Sequence, residues 1–223
     1  MTPPGTPSPD AVADLAARVE QAASGSPRFL LGIAGSPGSG KTTLTAAIVA
    51  ELNARRSGTA AALPMDGFHL ANATLDRLGR RDRKGAIDTF DGWGFLALLH
   101  RVRLETDHTV FAPSFRREVD EGVAAEIAIE PTTRIVVVEG NYLLADVVPW
   151  ARVREALDET WFCTTPGAVR EQRLIERHTR HGRTRDAAAA WAREVDGANA
   201  TLIEATAARA DLVVSGETGV VVD

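Results

Sequence analysis

Residues 35–42 of this 223-residue chain have the glycine-rich spacing G-x-x-x-x-G-K-T. They directly follow the apolar run 29–34, which has the length and composition of a buried β-strand. Because glycine lets the backbone turn tightly, the N–H groups of such a loop converge on phosphate oxygens where the next helix begins. The pattern therefore predicts a strand, a phosphate loop and a helix, and it indicates a nucleoside triphosphate as ligand.

We expect the whole segment from the first glycine to the second threonine to contact the triphosphate. The ammonium group of Lys41 is expected to reach the β and γ phosphates, and the hydroxyl of Thr42 is expected to bind Mg²⁺. The expected contacts are Gly35, Ser36, Pro37, Gly38, Ser39, Gly40, Lys41, Thr42 and Thr43.

The choice of lysine in this motif supports the same assignment. Of the 25 basic residues, 23 are arginine, and the two lysines are Lys41 and Lys84. An ammonium group is compact enough to lie between phosphates, where a planar guanidinium does not fit. A chain that otherwise uses arginine therefore has a chemical reason to keep lysine at position 41.

Length, charge and cysteine content exclude several other classes of protein. The length suits one α/β domain, which we predict over 10–223 after a disordered tail at 1–9. The net charge of −5, without a basic block, argues against nucleic acid or an anionic membrane as the main partner. The single cysteine, Cys163, excludes an internal disulfide and a cysteine-based zinc site, and its apolar neighbours predict a buried thiol.

The sequence shows no secretory signal and no apolar run of membrane-spanning length. We therefore expect a cytoplasmic protein. Its oligomeric state is left open, and a homodimer is one of the alternatives.

Apolar strands alternate with helix-like segments along most of the chain. The predicted strands are 29–34, 60–65, 134–139, 159–163 and 211–214. The predicted helices are 10–23, 40–54, 92–104, 148–156, 167–181, 184–194 and 198–209. This alternation predicts βαβ units, and so a parallel sheet with helices on both faces. The polar stretch 67–90 is longer than an ordinary connection and is expected to be functional or mobile.

Two carboxylates follow predicted strands at the edge where open parallel sheets bind ligands. Asp66 ends the second strand and is the best candidate for a general base that accepts the proton of a substrate hydroxyl. Glu139 ends the third strand and is expected to lie near Mg²⁺. We keep Asp66 as a second candidate metal ligand and both residues as candidate substrate contacts. The alternative for Asp66 is a structural role in a turn or as a helix N-cap, and the alternative for Glu139 is an ordinary acid at the end of a strand.

Arginines recur at three- and four-residue spacing on the helix predicted at 167–181, so they form one stripe. They are Arg170, Arg173, Arg177 and Arg180. Taken alone, such a stripe is typical of a solvated helix face. Beside a phosphate loop, it favours a lid over the triphosphate, predicted at about 167–195. His69 and His178 are weaker candidates for substrate contact, because a lone histidine is usually structural.

These features together resemble the family of phosphoribulokinase, uridine kinase and bacterial pantothenate kinase over about residues 29–214. The run Asp66-Gly67-Phe68 resembles the Asp-Gly-Phe of the pantothenate kinases, in which the aspartate is the catalytic base. The segment 84–91 is similar to their segment that runs from Lys-Gly to an aromatic-Asp pair, and Glu139-Gly140 matches the family's Glu-Gly. The resemblance implies a P-loop fold with an arginine-rich helical lid.

The resemblance also implies individual site residues. Asp91 matches the aspartate that holds the ribose hydroxyls in uridine kinases, and Asn199 lies close to an asparagine near the pantothenate site. Arg173 and Arg177 fall where the lid arginines lie, which implies catalytic roles for them beside Lys41 and Asp66. The implied substrate contacts are Asp66, His69, Asp91, Phe115, Arg116, Glu139, Arg177 and Asn199.

The leading interpretation is a kinase that uses ATP and Mg²⁺ to phosphorylate a hydroxyl of a nucleoside, sugar or pantothenate-like metabolite. The chain departs from both relatives at Phe115-Arg116-Arg117, where two arginines favour a more anionic acceptor such as a sugar phosphate. The alternative is a P-loop regulatory NTPase that hydrolyses nucleotide without a small-molecule acceptor. Neither lysine lies in the Asn-Lys-x-Asp segment that a GTPase of this kind needs.

Overall fold

The computed structural model describes residues 5–222 and has mixed α/β architecture. Its strands are β1 Phe29–Ala34, β2 Ala60–Pro64, β3 Val110–Arg116, β4 Glu121–Ile129, β5 Ile135–Gly140, β6 Glu159–Thr164 and β7 Leu212–Ser215. Its α-helices are α1 Pro9–Ala22, α2 Lys41–Arg55, α3 Asn72–Leu78, α4 Gly92–Leu104, α5 Trp150–Glu155, α6 Gly167–Arg180, α7 Arg185–Trp191 and α8 Gly197–Glu204.

The main sheet is parallel, and within residues 5–222 it has five strands in the order β2-β5-β1-β6-β7. The central strands β1 and β5 are buried along their whole length. Helices cover both faces, which explains why these strands are almost continuously apolar. One face packs α1 and α2 through residues such as Leu15 and Ile48. The other face packs α4 and α5 through Phe95 and Trp150.

The predicted parallel sheet is confirmed, and each end of its strands lies within one residue of the predicted position. The strands β3 and β4 were missed, and they form a separate antiparallel hairpin. Strand β4 is exposed along most of its length, so its sequence lacks the alternation of apolar and polar residues that marks a half-buried strand. Helix α3 was also missed, because it lies inside the polar stretch 67–90.

The predicted disordered tail at 1–9 was wrong for its last residues. Ser8 is the N-cap of α1, where its Oγ accepts a hydrogen bond from the backbone N–H of Ala11 at 3.2 Å. Pro9 begins the helix, a position that tolerates proline because no intrahelical hydrogen bond is lost. Pro7 is buried beside Gly219. The part of the predicted tail at 1–4 lies outside the described residues.

The segment predicted as a lid, at about 167–195, contains α6, α7 and most of a π-helical turn. Helix α7 continues through a π-helical turn at Ala192–Asp196 directly into α8. The two predicted helices at 184–194 and 198–209 are therefore one continuous helical stretch that ends at Glu204. None of the helices within the described residues is both long enough and apolar enough to cross a membrane.

Candidate active site

The phosphate loop connects β1 to α2, as the sequence predicts. Gly38 and Gly40 adopt positive φ angles of 78° and 96°, which strain any residue with a side chain. A Cβ atom at Gly40 would lie 2.6 Å from the carbonyl oxygen of Gly216, so there is no room for one. Because Gly40 is the N-cap of α2 and supplies no side-chain hydrogen bond, the first N–H groups of this helix remain available to an anion. The loop therefore fits a triphosphate.

Side chains at the end of β6 and on α8 form hydrogen bonds with the phosphate loop. The carbonyl oxygen of Ser39 accepts hydrogen bonds from Thr165 Oγ1 at 2.8 Å and from Cys163 Sγ at 3.4 Å. Cys163 is buried, as the sequence predicts, and burial raises the pKa of its thiol to about 11. Ser36 Oγ donates to Glu204 Oε1 at 2.5 Å. Ser36 is thus tied to Glu204, whereas the buried Oγ of Ser39 has no hydrogen-bond partner within the described residues.

Thr42 and Glu139 bring two hard oxygen donors together beside the loop. Thr42 Oγ1 donates a hydrogen bond to Glu139 Oε1 at 3.1 Å. Burial raises the pKa of Glu139 and Asp66 adds to the rise, whereas the positive charge of Lys41 opposes it. The described residues contain no cluster of three or more His, Cys, Asp or Glu side chains that could hold a metal ion alone. Mg²⁺ in kinases binds through one or two protein oxygens and substrate phosphates, so this pair fits it.

Asp66 lies in a 3₁₀ turn at Met65–Phe68, directly after β2. Its side chain is one-third exposed and faces a cavity of about 500 Å³ in front of the phosphate loop. Burial opposes its ionisation, yet nearby positive charges outweigh that cost and lower its pKa. They come from the imidazole of His69 in its protonated form and from Lys41, Arg117 and Arg177. A carboxylate held ionised in this position can accept a proton from a hydroxyl group in the cavity.

The cavity joins the phosphate loop to the hairpin and to the lid segment, and it contains five of the eight implied substrate contacts: Asp66, His69, Phe115, Arg177 and Asn199. The residues that line it are Pro37, Lys41, Thr42, Asp66, His69, Arg81, Lys84, Gly85, Phe90, Phe115, Arg117, Asp120, Asn141, Arg177, His178, His181, Arg183, Trp191, Asp196 and Asn199. The lining is dominated by charged and amide side chains, so the cavity suits a small polar metabolite.

Aromatic side chains form one wall of the cavity. The ring of His69 packs against Phe90 and Phe115, with centroid separations of 4.0 and 4.6 Å. Burial lowers the pKa of His69, although the nearby carboxylate of Asp66 opposes this. Its Nδ1 lies 2.8 Å from the carbonyl oxygen of Asp66. His69 thereby links the aromatic wall to the turn that carries the candidate base.

Lys84 is a buried cavity residue to which the sequence analysis assigns no role. Its side chain is 8% exposed, and its Nζ lies 5.0 Å from the ring centroid of Phe115. Nζ donates to Asn72 Oδ1 at 2.6 Å and lies 3.2 Å from Asp120 Oδ2. Lys84 therefore joins helix α3 to the turn of the hairpin. Asn199, the other residue implied in this part of the cavity, donates to the carbonyl oxygen of Gly85 at 3.4 Å.

The four arginines of the stripe on α6 contact different parts of the structure. Arg170 lies 3.6 Å from Glu204, and Arg173 Nη1 donates to the carbonyl oxygen of Gly38 at 3.2 Å. Arg177 instead lines the cavity, and its buried Nε has no hydrogen-bond partner within residues 5–222. Burial lowers the pKa of Arg177, and the neighbouring charge of Arg117 adds to the effect. Arg180 is exposed and lies outside the cavity.

His178, the residue after Arg177, forms a pair across the lid segment. Its Nε2 lies 2.8 Å from Asp196 Oδ2, and both side chains are largely buried and line the cavity. Asp196 ends the π-helical turn, an irregularity that often occurs at functional sites. The sequence shows no sign of this turn, so the partner of His178 could not be predicted.

Three implied substrate contacts do not line the cavity: Glu139 lies beside Thr42 at the phosphate loop, and Asp91 and Arg116 lie elsewhere. Asp91 is the N-cap of α4, where its Oδ1 accepts from Gly94 N at 2.8 Å, and its neighbour Phe90 lines the cavity instead. Arg116 is exposed and pairs with Glu126 on the hairpin. Arg117 faces the cavity instead of Arg116, because successive residues at the end of β3 face opposite sides. The sequence analysis names Arg117 as an anion-binding candidate but selects Arg116 for the site.

We expect replacement of Arg177 by Gln to lower kcat by about 10²-fold, because a positive charge near the transferring phosphate would be lost. Replacement of the exposed Arg180 by Gln serves as the control on the same helix and is expected to leave kcat within about twofold. Steady-state kinetics with saturating ATP measure both values. Equal, negligible effects of the two substitutions would identify the whole stripe as a solvated face.

The parallel sheet, with its phosphate loop between β1 and α2 and with helices on both faces, defines the fold of a P-loop kinase. The family model for the phosphoribulokinase / uridine kinase family matches residues 30–221. The chain belongs to this family. It is an ATP-dependent phosphotransferase that phosphorylates a hydroxyl group of a small molecule.

Similar proteins agree with this assignment. A Schizosaccharomyces pombe protein named "putative uridine kinase" is 34% identical over 193 residues, which cover 83% of this chain and 82% of that protein. The protein YggC of Escherichia coli K12 is 33% identical over 193 residues, covering 84% and 77%. The crystal structure of a "putative fructose transport system kinase" from Silicibacter sp. TM1040 has 39% identity and a TM-score of 0.83, covering 91% of this chain and 98% of that chain.

Proposed function

We propose that the chain transfers the γ-phosphate of ATP, with Mg²⁺, to a hydroxyl group of a sugar or nucleoside, and that Asp66 is the base. The observation that carries this proposal is the position of Asp66. Its partly exposed carboxylate opens into the same cavity as Lys41 and Thr42 of the phosphate loop. An acceptor in that cavity would bring its hydroxyl between the base and the triphosphate, as an in-line displacement requires.

The residues around the phosphate loop divide the remaining tasks. Lys41 neutralises oxygens of the β and γ phosphates, and the N-terminus of α2 binds the same anion. Thr42 and Glu139 would hold Mg²⁺, which supplies charge neutralisation of the phosphate oxygens when it is bound. Asp66 takes the proton of the acceptor hydroxyl. Arg177 reaches the cavity from the lid segment and stabilises the charge on the transferring group.

The choice between acceptors depends on the relatives and on the cavity. Relatives named for uridine and for fructose transport suggest a nucleoside or a ketose. Asp91 caps α4 and does not line the cavity, so it is not placed to hold ribose hydroxyls as its counterpart does in uridine kinases. This favours a sugar over a nucleoside. A pantothenate-like acceptor is a further alternative, and Phe90, Phe115 and Trp191 in the cavity lining would pack against its apolar part.

We expect ATP turnover to rise at least about tenfold when the acceptor is present, because water is a poorly positioned substitute for a bound hydroxyl. ADP release is measured with fructose, ribose, ribulose, uridine, cytidine and pantothenate, each as a single addition. Turnover that stays the same with every compound, and with their phosphorylated forms, would favour the regulatory NTPase instead.

A further inference from the structure

Arg117 lies at the cavity without a hydrogen-bonding partner for its side chain. It follows β3 in the turn of the hairpin, and its side chain is 44% exposed. The nearest carboxylate oxygen is Oδ2 of Asp66, at 3.9 Å from Nη2, which is too far for a hydrogen bond. Within residues 5–222, no other acidic group pairs with this guanidinium. Its five N–H donors are therefore free to bind a ligand.

Three other cationic side chains of the cavity have partners in the protein. Arg81 and Lys84 both pair with Asp120, at 2.9 and 3.2 Å. Arg183 lies 4.0 Å above the ring of Trp191. Lys41 and Arg177 face the place that the triphosphate would occupy under the proposed function. Arg117 comes from the hairpin, and within residues 5–222 the only acidic group near its guanidinium is Asp66, at 3.9 Å, so its N–H donors have no hydrogen-bonding partner there.

We propose that Arg117 binds an anionic group of the acceptor, so that the substrate is a phosphorylated or carboxylated hydroxy compound. A guanidinium recognises phosphate and carboxylate alike through two parallel N–H···O bonds. Under the proposed function, on which this inference rests, the charged end of the acceptor lies at Arg117 while its hydroxyl lies at Asp66. Arg117 would thus select the acceptor and hold it in place.

The test compares probes that differ in one charged group. The pairs are fructose with fructose 6-phosphate, ribose with ribose 5-phosphate, and pantothenol with pantothenate. We expect kcat/KM of the wild-type protein to be at least about tenfold higher for the charged member of one or more pairs. The phosphate and carboxylate pairs distinguish the two sources of negative charge.

Variants of the two adjacent arginines make the test specific. Arg117→Gln is expected to raise KM for the charged probe about 10- to 100-fold, the usual effect of losing hydrogen bonds to a charged group, and to leave KM for ATP unchanged. Arg116→Gln is the matched control, since Arg116 pairs with Glu126 outside the cavity. Arg117→Lys keeps the charge but not the paired N–H groups, and an intermediate KM is expected.

Equal kcat/KM for charged and neutral probes would overturn the inference. It would also be overturned if Arg117→Gln and Arg116→Gln had equal effects, or if Arg117→Gln reduced activity equally with charged and neutral probes. Acceptor-dependent turnover of a neutral sugar alone would overturn this inference and leave the proposed function intact. Turnover that depends on none of the probes would overturn both. Thermal unfolding of each variant shows whether a loss of activity reflects loss of the fold.

Discussion

Replacement of Lys41 by Ala should remove nearly all phosphoryl transfer while the fold is retained. The ammonium group faces the cavity at the first turn of α2, and it makes no hydrogen bond to another group within residues 5–222. Its loss would leave the developing charge on the phosphate oxygens without its closest cation, which costs about 10²–10³-fold in kcat or more. Acceptor-dependent ADP release and thermal unfolding measure the two effects.

The variant Lys41→Arg separates charge from shape. A planar guanidinium keeps the charge but does not fit between phosphates, so this variant should also be severely impaired. Full activity of Lys41→Arg would show that charge alone suffices. Retained turnover of Lys41→Ala would remove the phosphate loop from the mechanism.

Replacement of Asp66 by Asn should separate chemistry from nucleotide binding. Asparagine keeps the size and part of the hydrogen bonding of aspartate but cannot accept a proton, so kcat should fall about 10²–10⁴-fold. Because surrounding cations lower the pKa of Asp66, the base stays ionised throughout the neutral range. The wild-type protein should therefore show no loss of activity from this group until the pH falls below the usual range of a carboxylate. The pH dependence of kcat/KM measures this.

The affinity for Mg-ATP distinguishes the two roles assigned to Asp66. If Asp66 is the base, Asp66→Asn should bind Mg-ATP about as tightly as the wild-type protein does. Loss of that affinity would identify Asp66 as a metal ligand, and Glu139 would become the better candidate for the base. In the structure Glu139 lies 3.1 Å from Thr42, the expected Mg²⁺ ligand, and this contact favours Glu139 as the metal ligand and Asp66 as the base.

The fold could be predicted from local sequence patterns because its central elements are unusually regular. Strands β1 and β5 are apolar throughout, and glycines fix the phosphate loop at positions where a side chain would clash. The hairpin of β3 and β4 could not be predicted, since exposed strands carry no burial pattern. It supplies Phe115 and Arg117 to the cavity, so the acceptor side of the site was the least predictable part.

Residue-level assignments depended on which way each side chain faces. Arg116 and Arg117 are adjacent in sequence, yet one pairs with Glu126 outside the cavity and the other lines it. To choose between Arg116 and Arg117, one must know how β3 pairs with β4, and the sequence does not reveal this pairing. Likewise, helical spacing placed Arg173 and Arg177 on one stripe but could not show that Arg173 bonds to Gly38 while Arg177 enters the cavity.

The most direct measurement follows the labelled phosphate of γ-³²P-ATP in the wild-type protein and in Asp66→Asn, with the sugar and sugar phosphate probes. If Asp66 in the cavity is the base for an acceptor hydroxyl, the wild-type protein should form a labelled phosphate ester, and the variant should form it about 10²–10⁴-fold more slowly. Label that appears only as inorganic phosphate, or ester formation at the same rate in both proteins, would contradict the account.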